Sequence, residues 1–591
     1  MTSRLLLAAA LLATSSPAFA QFNDAWAEFT PAPALLSAPT ISDSTLETDL
    51  AWGDLDQNGL EDLVVARVQP IMAGGARTNM LLMNEAGVLT DRTATFATAS
   101  DVAGDSGFLT PTSDRDVVVV DLNQDGWLDV VTAVGFGNVG DPMALSHPRV
   151  YINLGNDLAG NWQGLRYEQS RFPALINFVT GLQVAARFNA VAAGDVNGDG
   201  FVDLYFGDHD AAPSSPFGGE SPNFDTDDRL FLNDGFGFFT DVTALSLMPA
   251  MTKSNFCNSA AIGDFNQDGV NDILKQTNAS SGGAKVTVAY NDSATPGTFT
   301  SFQQAYSGSP YNISTGDLNG DGRLDVVVSE NGKDGVLYNT ATGVSGQVTW
   351  SPLIPFEFLT GGDDSFAANS LVTDLDGDGL NDVLIADVDP QVSGFNRRLH
   401  IYHNRGNAVT GAAILREERE NATTSGWVGL VGLHESDMKG THDIAVLDID
   451  GDGLDDLVIS RNAGTSVWRR EPYCQPDLGM GAAGLAFEVC GDKLATGSSA
   501  VARLSGAAPG APILVLAAGA ANPTFVPVLQ DTVVAFPPFY ISGFAADASG
   551  ELALSVPGGG GPFSWVGQCL VANGLPTLFS PSNAVLIEFL P

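Results

Sequence analysis

The sequence predicts an all-β protein: a seven-bladed β-propeller over residues 21–472, followed by a small β-sandwich-like domain over residues 473–591. Three observations carry that reading. A nine-residue acidic pattern occurs seven times, short β-branched apolar runs follow its copies, and six units end a later apolar strand in Asn. Recurrence on this scale marks a repeat architecture, in which each copy is one supersecondary unit that buries its apolar face against its neighbours.

The pattern is Asp-x-Asx-x-Asx-Gly-x-x-Asp. Its copies start at Asp54, Asp121, Asp195, Asp264, Asp317, Asp374 and Asp448, at intervals of 67, 74, 69, 53, 57 and 74 residues. Each interval accommodates a small four-stranded sheet with variable loops. Leu63 to Ala66, Val130-Val131, Val326 to Val328 and Leu457 to Ile459 follow copies and read as buried strands. Val117 to Val120 and Ile444 to Leu447 precede copies, so the acidic loop joins two successive strands. The strand-terminal residues are Asn84, Asn153, Asn233, Asn291, Asn339 and Asn404. In the seventh unit the matching strand is Val467-Trp468-Arg469, and no fourth strand follows it. Phe238 to Asp241 shows what a fourth strand looks like, and Glu28-Phe29-Thr30, ahead of the first copy, is similar. The mature N-terminus is therefore expected to add the outer strand of blade seven, which leaves only short, protected sheet edges.

Carboxylate and amide oxygens at positions one, three, five and nine form a donor set for a hard cation, and Gly at position six lets the loop turn without a Cβ penalty. The candidate ligands are Asp54, Asp56, Asn58 and Asp62; Asp121, Asn123, Asp125 and Asp129; Asp195, Asn197, Asp199 and Asp203; and Asp264, Asn266, Asp268 and Asp272. The last three loops add Asp317, Asn319, Asp321 and Asp325; Asp374, Asp376, Asp378 and Asp382; and Asp448, Asp450, Asp452 and Asp456. Oxygen-only ligation favours calcium over zinc or copper, and magnesium demands a stricter octahedron. Up to seven Ca2+ ions, one per blade, are expected. Carboxylates packed this closely repel one another unless a cation joins them.

An EF-hand would continue to a glutamate at position twelve between helices, whereas strands flank these loops. Gly194 to Gly200 and Gly316 to Gly322 read Gly-Asp-x-Asn-Gly-Asp-Gly. With its seven strand-flanked loops, the chain over residues 27–470 resembles the FG-GAP or VCBS repeat family, typified by the integrin α-chain propeller, in a bacterial secreted form. The resemblance implies a radial propeller with calcium held structurally in loops at one face. It does not imply integrin-type signalling, since no long stalk or transmembrane helix accompanies the repeats.

Composition narrows the function classes. The chain has 591 residues and a formal charge of −43, from 69 acidic against 26 basic side chains. That balance argues against binding nucleic acid or anionic lipid through a basic patch. Arg4, the apolar run Leu5 to Ala13 and Ala18-Phe19-Ala20 read as a signal peptide over residues 1–20, with the mature chain starting near Gln21. A secreted, extracellular or bacterial cell-surface protein is expected. No later stretch approaches the roughly 20 apolar residues of a membrane helix. Export permits disulfides among Cys257, Cys474, Cys490 and Cys569, and Cys474 with Cys490 is the preferred pair because it closes a short loop.

From Tyr473 the acidic repeat stops, and 119 residues carry only nine charged side chains. Apolar runs at Ile513 to Leu516, Phe525 to Leu529 and Val585 to Phe589, broken by Gly and Pro, predict the sandwich. Attachment, sorting, carbohydrate contact and a shielding cap are all open for this module.

No nucleophile elbow, phosphate loop or metalloprotease helix is present. The histidines are His147, His209, His400, His403, His434 and His442. His400 and His403 are three apart on a predicted strand and point to opposite faces, which spoils a shared metal site. The sequence therefore reads as a nonenzymatic binding or adhesion scaffold, expected to be a monomer, for an extracellular protein or carbohydrate ligand. The inserts Gly135 to Pro148, Asp208 to Asp228 and Asp387 to Arg397 are the candidate recognition loops. The competing class is an extracellular carbohydrate-active enzyme, a polysaccharide lyase or hydrolase built on a propeller, which would need a clustered titratable site in its cleft.

Overall fold

The computed structural model describes residues 27–37, 47–68, 76–135, 148–208, 227–252, 257–276, 285–308, 310–330, 334–343, 346–356, 367–377, 379–387, 399–407, 411–417, 430–431, 433, 438–461, 464–475, 477–479, 484–491, 494, 499–526, 531–535, 537–561, 563–572 and 579–589. The expected signal peptide, most of the three candidate recognition inserts, Asp378, His147, His209 and His434 lie outside these residues. Strands dominate, and the only α-helical segments among the described residues are the single turns Thr93–Phe96 and Thr243–Ser246.

Each acidic loop connects the first and second strands of an antiparallel sheet. In unit one the strands are Glu47–Gly53, Asp62–Val68, Met80–Asn84 and Leu89–Asp91, and in unit two Asp114–Val120, Asp129–Val134, Arg149–Asn153 and Leu165–Tyr167. Units three and four repeat the order with Phe188–Gly194, Asp203–Asp208, Arg229–Asn233 and Phe239–Asp241, then Ala260–Gly263, Asp272–Gln276, Val286–Asn291 and Phe299–Tyr306. Unit five has Pro310–Gly316, Asp325–Glu330, Gly335–Leu337 and Ile354–Pro355, with a separate ribbon of Asn339–Thr342 and Val348–Trp350. Unit six has Ala367–Thr373, Asp382–Asp387, Leu399–Asn407 and Ala413–Glu417.

Unit seven contributes Thr441–Leu447, Asp456–Arg461 and Ser466–Glu471, and its next strand is Ala27–Pro31 from the start of the described chain. The pairing is antiparallel, with Phe29 opposite Arg470 and Thr30 opposite Arg469. Phe29 is fully buried in the cluster that also holds Leu384, Ile401, Ile444, Leu457 and Trp468. An apolar residue on every second position of this strand would otherwise face water, so burial of Ala27 and Phe29 fixes its register.

Seven apolar clusters lie between consecutive sheets. One joins units one and two through Val64, Leu81, Val130 and Tyr151. The series runs on to a cluster in which Leu50, Leu63 and Val65 of unit one meet Ala445, Leu447 and Val458 of unit seven. First strands of neighbouring sheets touch throughout the series, and Thr441–Leu447 touches Glu47–Gly53. Because both faces of each sheet are covered, the second strands read as continuous apolar runs rather than alternating ones.

After Tyr473 two further sheets share one core. Ala486–Gly491, Ser499–Ser505 and Leu552–Pro557 belong to the first; Pro512–Ala518, Tyr540–Ala545, Phe563–Ala572 and Phe579–Phe589 belong to the second. Phe487, Val489 and Leu504 pack against Ile513, Val571, Val585 and Ile587 between them. The anticipated run at Phe525 is the short strand Thr524–Val526, paired with Asp531–Val533.

Cys474 and Cys490 form a disulfide across paired strands, 16 residues apart in sequence, while Cys257 and Cys569 are buried thiols. A loop of this length restricts the unfolded chain by about 3 kcal/mol. Replacing both residues by Ser is therefore expected to lower the urea midpoint of the C-terminal module, and an unchanged midpoint would show that the module does not need the crosslink.

Candidate metal centres

The local backbone of each loop is forced into a tight coil by two left-handed positions. Gly at position six has φ between 79° and 93° in all seven loops. Position four is also left-handed, as Gly198, Gly320, Gly377 and Gly451 or as Gln57, Gln124 and Gln267. Each of these Gln side chains uses its strained backbone to reach the next loop, where it donates to the carbonyl of Gly126, Gly200 or Gly322. The Asp at position one accepts from the amides inside the coil: Asp54 takes those of Asn58 and Gly59, and Asp448 those of Gly451, Asp452 and Gly453.

Positions one, three and nine converge. In the loops that carry Asp at position three, a carboxylate oxygen of each member of Asp54, Asp56 and Asp62 lies within 4.8 Å of the others, and the same holds for Asp374, Asp376 and Asp382 and for Asp448, Asp450 and Asp456. In the loops with Asn at position three, the amide nitrogen of Asn123, Asn197, Asn266 or Asn319 donates to the carboxylate at position five. Position five also closes the coil: Asn58, Asp125, Asp199, Asp268, Asp321 and Asp452 each accept the amide hydrogen of position seven.

The Asp at position nine begins the second strand and is buried. In unit one Asp62 accepts the amide of Leu55 at 2.9 Å and that of Asn84 at 2.7 Å; Asp129, Asp203, Asp325 and Asp382 repeat both bonds in their own units. In unit four Asp272 accepts the amide of Asn291. Burial nevertheless pushes the carboxyls of Asp62, Asp129, Asp272, Asp325 and Asp456 up to about 7 and that of Asp203 to about 6. Burial, then the charge of Asp376, holds Asp382 well above the carboxylate range. A cation among the three carboxylates would reverse that penalty, and the all-oxygen donors fit a hard ion. Beside the sixth loop, His403 places Nε2 3.3 Å from Asp376 Oδ2, while His400 pairs with the buried Glu417 at 2.9 Å, so the two imidazoles serve different partners.

The strand-terminal Asn residues tie the loops together. Asn153 donates from its own amide to Asp129, and from Nδ2 to the carbonyls of Leu128 in its own loop and Leu55 in the preceding one. Asn233, Asn291 and Asn404 make the same three bonds; Asn339 makes those to its own Asp and to the preceding Phe265. Asn84 of unit one reaches Ile449 in the seventh loop. In unit seven the equivalent residue is Arg470, whose amide donates to Asp456 and whose guanidinium donates to the carbonyl of Asp376 in the sixth loop. Sequence reading located the Asn residues but not this bridging role, and it passed over Arg470 because a different side chain does the same work.

Residues 121–206 match the FG-GAP-like repeat model and residues 309–349 match the FG-GAP repeat model. The chain carries FG-GAP repeats. The first segment runs from the acidic loop of unit two into the second strand of unit three and the second lies within unit five, and the acidic loops of the other units share the same geometry. No curated protein matches the chain. Among solved structures, an Agrocybe aegerita lectin recognising non-reducing terminal N-acetylglucosamine aligns at 16% identity and TM-score 0.37, covering 63% of this chain and 80% of its own. The V. cholerae biofilm matrix protein Bap1 aligns at 14% identity and TM-score 0.29, covering 84% of this chain and 70% of its own.

Proposed function

We propose that the seven FG-GAP-type sheets are the blades of a closed propeller, that its loops hold structural calcium, and that the exported protein is a nonenzymatic scaffold for binding or adhesion to an extracellular protein or carbohydrate. The observation that supports this most is the convergence of three carboxylates in the loops at Asp54, Asp374 and Asp448, on a framework whose loops are hydrogen-bonded to one another. Carboxylates gathered this way suit a hard cation, and a cation that bridges strand ends would stiffen a scaffold. Among the described residues the histidines His400, His403 and His442 are buried within sheets.

Metal analysis of the mature protein tests the calcium reading. Close to seven ions per chain are expected, and Asp54→Ala and Asp448→Ala should each remove one. Equal counts in the variants and the parent, or no bound calcium at all, would overturn it. For the scaffold reading, immobilised protein should retain a glycan or matrix protein in calcium and release it on chelation, without cleaving it. Depolymerisation of a polysaccharide by the purified protein would assign the chain to the enzyme class instead.

A further inference from the structure

At the centre of the repeats, first strands from all seven units line a cavity of about 220 Å3. Five residues before each loop, the sequence places Asp49, Asp116, Ala190, Ser259, Asn312, Asn369 and Asp443. Three are acids, and they fall on the consecutive units seven, one and two. Each hands its carboxylate to the next strand: Asp443 accepts the amide of Leu50 at 2.6 Å, Asp49 that of Val117 at 2.8 Å, and Asp116 that of Val191 at 2.7 Å. Ser259 repeats the contact without charge, accepting the amide of Ile313 at 2.8 Å.

The acids also meet one another. Asp49 and Asp116 line the same cavity and perturb one another's titration, and two buried carboxyls set this close do not both ionise readily. Asn369 donates to Asp49 Oδ1 at 2.6 Å and also bonds Asp443, so one amide joins the cluster. The other charged or titratable groups facing the cluster are Arg115, which lines the same cavity, and the buried thiol of Cys257, which feels the charge of Asp116.

We propose that Asp49, Asp116 and Asp443 form a proton-dependent latch between the first strands of units seven, one, two and three, tight while the cluster holds a proton and weakened when it is lost. The direction of the linkage follows from burial. Desolvation pushes Asp443 up to about 7 and Asp116 to about 6, and it holds Asp49 well above the usual range, with Asp116 and Asp443 adding repulsion. Unfolded carboxyls titrate near 3.9, so from about pH 4 to about pH 7 the folded state retains protons that the unfolded chain has released. Stability is therefore lost as pH rises through that window.

The test compares the full-length protein with Asp116→Asn, whose amide oxygen still accepts from Val191 while its side chain cannot ionise. Denaturant unfolding is measured from pH 5 to pH 8 in excess calcium, so that loop carboxylates titrate alike in both and the difference isolates the cluster. The parent should lose stability with rising pH, and the variant's folding constant should change about tenfold less per pH unit, one retained proton fewer. Should that variant fail to fold, Asp443→Asn, which keeps an oxygen for Leu50, is read the same way. Equal slopes in parent and variant overturn the latch, as does the absence of a protonated-carboxyl infrared band in the parent at pH 6.

Discussion

Chelating calcium is expected to lower the melting temperature of the protein on the order of 10 °C. An ion bound only by the folded state at 100 times its dissociation constant contributes about 2.7 kcal/mol per site. Three loops bring three carboxylates within 4.8 Å, and burial holds their position-nine members above the carboxylate range, so removing the ion restores repulsion as well as forfeiting binding energy. The effect should exceed the sum of isolated sites. Asn84 couples the first loop to the seventh, and Arg470 couples the seventh unit to the sixth, so disorder in one loop strips partners from the next. Calorimetry with and without chelator reads this directly: an unchanged melting curve would mean the acidic loops hold their shape through hydrogen bonds alone.

The second large effect belongs to a neutral residue. Asn153→Ala should destabilise the protein by about 4 kcal/mol, more than removal of any single surface ion pair. Asn153 is 2% exposed. Its amide group serves the carbonyls of Leu55 and Leu128, and its oxygen accepts from Gly155 and from the indole of Trp162. Truncation leaves those groups buried without partners, and each costs about 1–3 kcal/mol. Asn153→Asp keeps the oxygens but places a carboxylate against two carbonyls, so it should be no milder at neutral pH. Urea unfolding of the three proteins decides the matter. A loss under 1 kcal/mol for Asn153→Ala would show that water takes over the contacts between loops.

Much of the architecture was legible because repetition multiplies weak signals. One Asp-x-Asn-x-Asp-Gly turn is ordinary, but seven turns, each leading into a β-branched run, identify loop and strand together. Glu28-Phe29-Thr30 could be matched to the missing strand of unit seven because its alternation copies Phe238 to Asp241. The disulfide partners were legible for a simpler reason, since Cys474 and Cys490 close the shortest loop available.

What the sequence by itself determined is the set of local rules: where each coil turns, which oxygens gather, and where strands begin. These depend on neighbours along the chain, through Gly at position six and the apolar period. Only the tertiary structure decided how the gathered side chains meet one another. Asp56, Asp376 and Asp450 join positions one and nine, whereas Asn123, Asn197, Asn266 and Asn319 turn their amides toward position five. It alone revealed that Arg470 stands where the other units have Asn, and that Asp49, Asp116 and Asp443 meet in one cavity. Asp49 and Asp443 are separated by nearly the whole repeat array, and only the packing of unit seven on unit one makes them neighbours. Nothing in local sequence encodes such a contact, because its partners are chosen by how unit seven packs against unit one.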